Sequence, residues 1–162
     1  MTGETMEDLF IETLKDIFYS EKHILKALPS MLKKASSEEL KKVWRRTGKR
    51  AKGQVDRLDQ VFQLLSCRRA ERSVTPSKVS SSKPKSISRR SKTEVLDAGM
   101  IASAQAVAHY EIARYGTLIA SAKQLGREDA IELLEANLKQ EKHADALLTE
   151  IAEAALNRKA AA

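Results

Sequence analysis

Four acidic side chains fall on the apolar stripes of otherwise helical sequence: Glu21, Glu111, Glu141 and Asp145. Carboxylates are hard oxygen ligands, and clusters of them inside a helix bundle hold pairs of iron or manganese ions, whose charge offsets theirs. Glu111 makes the strongest case. It interrupts the face of AGMIASAQAVAHYEIARYGTLIASAKQLG, residues 98–126, on which Val107, Tyr110, Leu118 and Ala122 recur at three- and four-residue steps. A lone carboxylate on such a face is costly to bury and needs a partner, a proton or a metal. Glu21 lies one turn after Ile17 and one before Leu25, while Glu141 and Asp145 share a face four residues apart. Any single acidic residue beside an apolar stripe is more often an edge residue than a ligand. Their shared mid-helix placement is what points to a cluster. His23, His109 and His143 read as surface residues, and Tyr19, Tyr110 and Tyr115 as core or boundary residues.

Helices must position these groups. Thr5 with Asp8 caps a first helix, whose inner side carries Leu9, Leu14, Ile17, Phe18, Leu25 and Leu28 and which Pro29 is expected to bend or end. Ser36 followed by Glu39 forms a capping box for a second helix through Leu40, Val43, Trp44, Val55, Leu58, Val61, Phe62 and Leu65. Its middle, WRRTGKRAKG, puts Thr47, Arg50 and Gln54 on the inner stripe, and Gly48 and Gly53 weaken it. Ser91 with Glu94 reads as the start of the third helix, which closes at Gly126. A fourth runs from about Arg127 to about Asn157, with Ile131, Leu134, Leu138, Leu148 and Ile151 inward. The expected architecture is therefore all-α: one domain over residues 1–162, a four-helix bundle with a polar centre and a long connection between the second and third helices.

Composition agrees. The chain has 42% hydrophobic residues but only 4% aromatic ones, which suits helix packed on helix better than a sheet protein. It contains no apolar run long enough to span a bilayer, and its N-terminus is acidic, so a cytoplasmic protein without membrane attachment is expected. A single cysteine, Cys67, excludes an internal disulfide and a multi-cysteine zinc site. The net charge of +7 is unevenly spread: residues 41–93 hold 17 Lys and Arg against 3 Asp and Glu, a balance of +14, leaving −7 elsewhere. Residues 66–92 read as a basic Ser/Lys/Arg-rich connecting segment. Such a segment leaves open contact with nucleic-acid phosphates, although the lack of interleaved aromatics argues against base stacking.

The segments LFIETLKDIFYSEKHILKALPSMLKKASSEELKK, GQVDRLDQVFQLL, VLDAGMIASAQAVAHYEIARYGTLIASAKQLG and EKHAD closely resemble the YciE/YciF family of ferritin-like proteins. The resemblance implies a ferritin-like four-helix bundle, often dimeric, stress-associated and ferroxidase-like. It also implies a di-iron or related metal centre at Glu21, Glu111, Glu141 and Asp145. Arg50 and Ala108 stand where the family usually has glutamate, and Gln54 stands where the family often has histidine or glutamine. An arginine there repels the ions it should help bind.

The departures on the second helix cluster. One codon string for Trp44 to Arg50, TGG-AGG-AGA-ACC-GGG-AAG-AGG, gives Glu-Glu-Asn-Arg-Glu-Glu when read one base away, the acidic pattern usual for the family. Residues of roughly 43–50 and 67–92 are therefore expected to be encoded in a shifted frame. Two functions stand side by side: an iron-binding, ferroxidase-like bundle, and a metal-free bundle acting as a binding or scaffold protein, with its basic segment on nucleic acid.

Overall fold

A computed structural model describes residues 5–66 and 89–156 of the chain. Among them are four long helices: α1 (Met6–Lys34), α2 (Glu38–Leu64), α3 (Arg89–Gln124) and α4 (Glu128–Ile151), the last extended by a π-helical turn, Ala152–Leu156. The basic connecting segment and Cys67 lie outside the described residues.

Local chemistry explains most of the boundaries. Thr5 caps α1, its hydroxyl oxygen accepting from the Asp8 amide at 3.1 Å. The cap of α2 is Ser37, which accepts from the Leu40 amide. Ser36, expected in that role, instead bonds through its amide and hydroxyl to the buried carboxylate of Asp97, tying the α1–α2 turn to α3. Because α3 begins at Arg89, Ser91 lies inside the helix and does not start it. At its other end Gly126 adopts φ +66°, and the Gly126 and Arg127 amides return to Lys123 and Ala122 in a Schellman closure.

Pro29 does not end α1, which runs five residues further. The residue is exposed, so water can satisfy the carbonyl its missing amide leaves free. Leu28, Met31 and Leu32 keep the helix on the core. Nor do the glycines break α2: Gly48 lies where a Cβ would come 3.3 Å from Leu28 Cδ1, a close approach that brings α1 and α2 together.

The short turns make α1–α2 and α3–α4 antiparallel pairs, and α1–α3 and α2–α4 contacts close the four-sided bundle. Ser36 bonds to Asp97 near one end and Arg127 pairs with Glu7 at the other, so α1 and α3 also run antiparallel. Thus α2 and α3 run parallel, with the end of α2 and the start of α3 at opposite ends of the bundle. This is the all-α, ferritin-like four-helix bundle with a long second connection that the sequence leads one to expect.

Two apolar clusters fill the interior. One gathers Phe10, Leu14, Ile17, Leu58, Phe62, Tyr115, Leu118 and Leu134, and the other Leu28, Leu40, Val43, Trp44, Ile101 and Leu148. Between them in sequence on each helix lie the buried polar residues Glu21, Gln54, Glu111 and Glu141. As written, residues 43–50 form a regular part of α2 and bury Val43 and Trp44.

Candidate metal centre

Glu21 of α1, Glu111 of α3 and Glu141 of α4 meet in the polar layer, with carboxylate oxygens within 4.8 Å of one another. All three are at most 1% exposed. They are drawn inside because each continues an apolar stripe: Leu14, Ile17 and Leu28 around Glu21, Ile101, Ala108, Tyr115 and Leu118 around Glu111, and Leu134 and Leu148 around Glu141.

Every carboxylate of the trio has one oxygen held by a protein donor. The Tyr115 hydroxyl donates to Glu21 Oε1 at 2.8 Å, and Ser20 Oγ to Glu111 Oε1 at 3.1 Å. Glu141 Oε1 accepts twice, from Arg50 Nε at 2.9 Å and Gln54 Nε2 at 2.7 Å. Asn137 Nδ2 donates to the Tyr115 oxygen at 3.1 Å, while Arg57 donates to Asn137 Oδ1 at 2.8 Å and so fixes the amide. Four buried oxygens, Glu21 Oε2, Gln54 Oε1, Glu141 Oε2 and Asp145 Oδ1, have no hydrogen-bond partner.

Burial raises the Glu21 carboxyl to about 8, reinforced by the charge of Glu141 and opposed by the Tyr115 hydrogen bond and Arg50. Glu111 is raised to about 10 by burial and by the charges of Glu21 and Glu141, with the Ser20 hydrogen bond opposing. Burial and the neighbouring Glu21 likewise push the Tyr115 phenol up, so it acts as a neutral donor. Without a cation the site therefore holds protons, as expected where like charges crowd in a dry interior.

Asp145, the fourth acidic residue expected here, stands apart from the trio. Its Oδ2 lies 3.2 Å from Nε2 of the exposed His109, and its side chain is 21% exposed. Two residues expected on the α3 stripe also lie elsewhere: Val107 and Tyr110 are 37% and 40% exposed. The centre of the buried stripe runs through 101, 108, 111, 115, 118 and 122, with 97, 119 and 121 also buried, rotated away from Val107 by roughly one residue. Tyr115 and Asn137, whose roles sequence reading missed, each lie one turn from a glutamate, Glu111 and Glu141 respectively. That spacing was the available signal.

A groove of about 530 Å³ between α1 and α3 reaches the centre, lined mainly by apolar groups such as Ile24, Trp44, Val107 and Ala108, with Arg50, Glu111 and Glu141 also on its lining. Small solutes therefore have a route to the carboxylates. The donor set fits a hard divalent cation: three clustered carboxylates, two of which carry an unpartnered buried oxygen, beside an unpartnered amide oxygen. The α2 wall and position 108 present Arg50 and Ala108, neither of which is a ligand.

The fold and these carboxylates define a ferritin-like helical bundle with a buried acidic centre. The chain belongs to the family described as "Domain of unknown function (DUF892)", which matches residues 5–161. It is 38% identical over 162 residues to Protein YciF of Escherichia coli (strain K12), covering 99% of this chain and 98% of that protein. The solved structure of the E. coli stress protein YciF superposes with a TM-score of 0.72 at 32% identity, covering 92% of this chain and 95% of that one. YcfI from Rhodopseudomonas palustris superposes with a TM-score of 0.73 at 36% identity, covering 91% and 95%. Among the described residues no helix is long and apolar enough to cross a membrane.

Proposed function

We propose that this protein is a ferritin-like metal-carboxylate protein that binds iron and handles it by oxidising Fe(II). The observation that carries this reading is the buried trio Glu21, Glu111 and Glu141, with its unpartnered oxygens. Bound Fe(II) would supply the electrons for reducing oxygen or peroxide. The chain's own part is to bind and shelter. Glu21, Glu111 and Glu141 hold the cation, and Asp145, one turn from Glu141, is the further acidic residue of that helix. Tyr115 and Ser20 orient Glu21 and Glu111, and the groove between α1 and α3 admits the oxidant while its apolar lining limits water. Glu21 and Glu111 release their protons as the cation enters.

Anaerobic Fe(II) titration followed by oxygen-uptake measurement tests this. Uptake that depends on Fe(II) is expected from the wild type and is lost in Glu111→Ala. If the wild type takes up no oxygen with Fe(II), the reading fails.

One observation favours a second reading, a metal-free bundle that serves as a binding protein: Arg50 already offers Glu141 a cation. That reading expects no metal in the purified protein. It also expects binding to DNA, weakening steeply with salt, that disappears when residues 66–92 are deleted.

A further inference from the structure

We infer that the centre is built for one metal ion, with the Arg50 guanidinium standing in place of a second cation. The inference rests on reading the trio as a metal site and concerns its capacity.

Two ions held side by side need carboxylates that bridge, giving one oxygen to each ion. Each of the three already has one oxygen engaged, so bridging requires a protein donor to be displaced or that oxygen's lone pairs to be shared. Tyr115 holds Glu21 Oε1, Ser20 holds Glu111 Oε1, and Arg50 and Gln54 together hold Glu141 Oε1. What the protein leaves open around the trio is Glu21 Oε2, Glu141 Oε2 and Gln54 Oε1, all buried and without a partner; the one other such oxygen among the described residues, Asp145 Oδ1, belongs to a carboxylate outside the trio whose Oδ2 faces His109. Glu21, Glu141 and Gln54 each offer a single oxygen to a single ion.

Charge leads to the same count. Within the trio, three ionised glutamates carry three negative charges and Arg50 contributes one positive, while Asp145, outside it, has His109 beside its Oδ2. The trio's remaining two are matched by one divalent cation. A second would leave a buried excess of positive charge beside a guanidinium that cannot lose its proton, an arrangement that a protein interior strongly opposes. Position 108 adds no donor either: Ala108, buried one turn before Glu111, presents only a methyl group.

Titration of the metal-depleted full chain with Mn(II), followed by elemental analysis and electron paramagnetic resonance, tests the capacity without any assay of activity. The wild type is expected to take up one Mn(II) per chain and to give the six-line signal of an isolated ion. Ala108→Glu alone is expected to remain at one, because Arg50 still holds Glu141. The double variant Arg50→Glu with Ala108→Glu is expected to take up two and to show the signal of an exchange-coupled pair. Two ions in the wild type overturn the inference while leaving the metal reading intact. So does a double variant of wild-type helicity that still binds one. No Mn(II) in the wild type overturns the metal reading itself. The wild-type count decides even if the double variant fails to fold.

Discussion

Arg50 Nε lies 2.9 Å from Glu141 Oε1, joining the middle of α2 to the middle of α4 inside the polar layer. The glutamate is 1% exposed and the arginine side chain 21%, so the pair is largely shielded from water. A metal-free centre is thereby tolerated: one carboxylate has a permanent counter-ion, and the other two keep protons.

Removing the guanidinium should therefore destabilise the metal-free protein. Arg50→Ala leaves Glu141 with the Gln54 amide alone, so a loss of about 1–3 kcal/mol is expected, the range for a buried polar group deprived of a partner. Urea unfolding at neutral pH measures it. A loss below about 0.5 kcal/mol would show that the pair does not balance the centre.

The raised carboxyls predict an unusual pH dependence for the metal-free protein. Glu21 and Glu111 have an ordinary value of 4.5 and folded values of about 8 and about 10. Between those limits the folded state holds protons that the unfolded chain has released, so raising the pH favours unfolding. Their contribution is complete below 4.5 and is lost as pH rises through about 8 and then about 10. Each group supplies at most about 1.4 kcal/mol per pH unit. Urea unfolding is expected to show a stability lower at pH 8 than at pH 6 by up to about 5 kcal/mol, the two groups together over two pH units. Glu111→Gln, which keeps the shape but cannot ionise, should flatten that slope.

The helices were legible because each stripe repeats over many turns, and Glu21, Glu111 and Glu141 because each breaks such a stripe in the middle. Asp145 shows where periodicity stops being informative. One turn beyond Glu141, it shares the face but lies at its edge, where His109 on α3 meets it. Arg50 on the inner stripe could be read as a departure from a metal site, but not as a donor to Glu141, since that depends on how α2 and α4 register. Tyr115 was likewise legible as a core residue, whereas its bond to Glu21 requires α1 and α3 to be docked.

The rotation of the α3 stripe gives a paired test of packing. Leu118 is fully buried in the apolar cluster with Leu14, Leu58 and Leu134, whereas Val107 borders the groove. Leu118→Ala should cost about 2–5 kcal/mol, the range for a core leucine, and Val107→Ala less than about 1 kcal/mol. Thermal or urea unfolding compares them. Equal losses would place Val107 in the core after all.

The composition of residues 43–50 makes a prediction about the native polypeptide. If the gene is read there in a shifted frame, peptide mass mapping of the natural protein returns an acidic peptide in place of VWRRTGKR. Recovery of VWRRTGKR as written overturns the shifted-frame expectation and keeps Arg50 beside Glu141. An acidic peptide would remove Arg50, and with it the single-ion capacity.

Tyr115 links the centre to its supports. Its hydroxyl donates to Glu21 Oε1 and accepts from Asn137 Nδ2, and Arg57 holds Asn137 in turn. Tyr115→Phe keeps the ring in the apolar cluster but leaves both Glu21 and Asn137, each fully buried, short of a bond. A stability loss of about 1–3 kcal/mol is expected in the metal-free protein. If Glu21 is a ligand, the same change should weaken Mn(II) binding by about 10–100-fold, the usual effect of losing a group that orients a ligand. Leu118→Ala, which injures the core without touching the carboxylates, is the control. An equal loss of Mn(II) affinity in both variants would mean that Tyr115 acts through packing, and a loss confined to Tyr115→Phe would mean that its hydroxyl holds Glu21 in position.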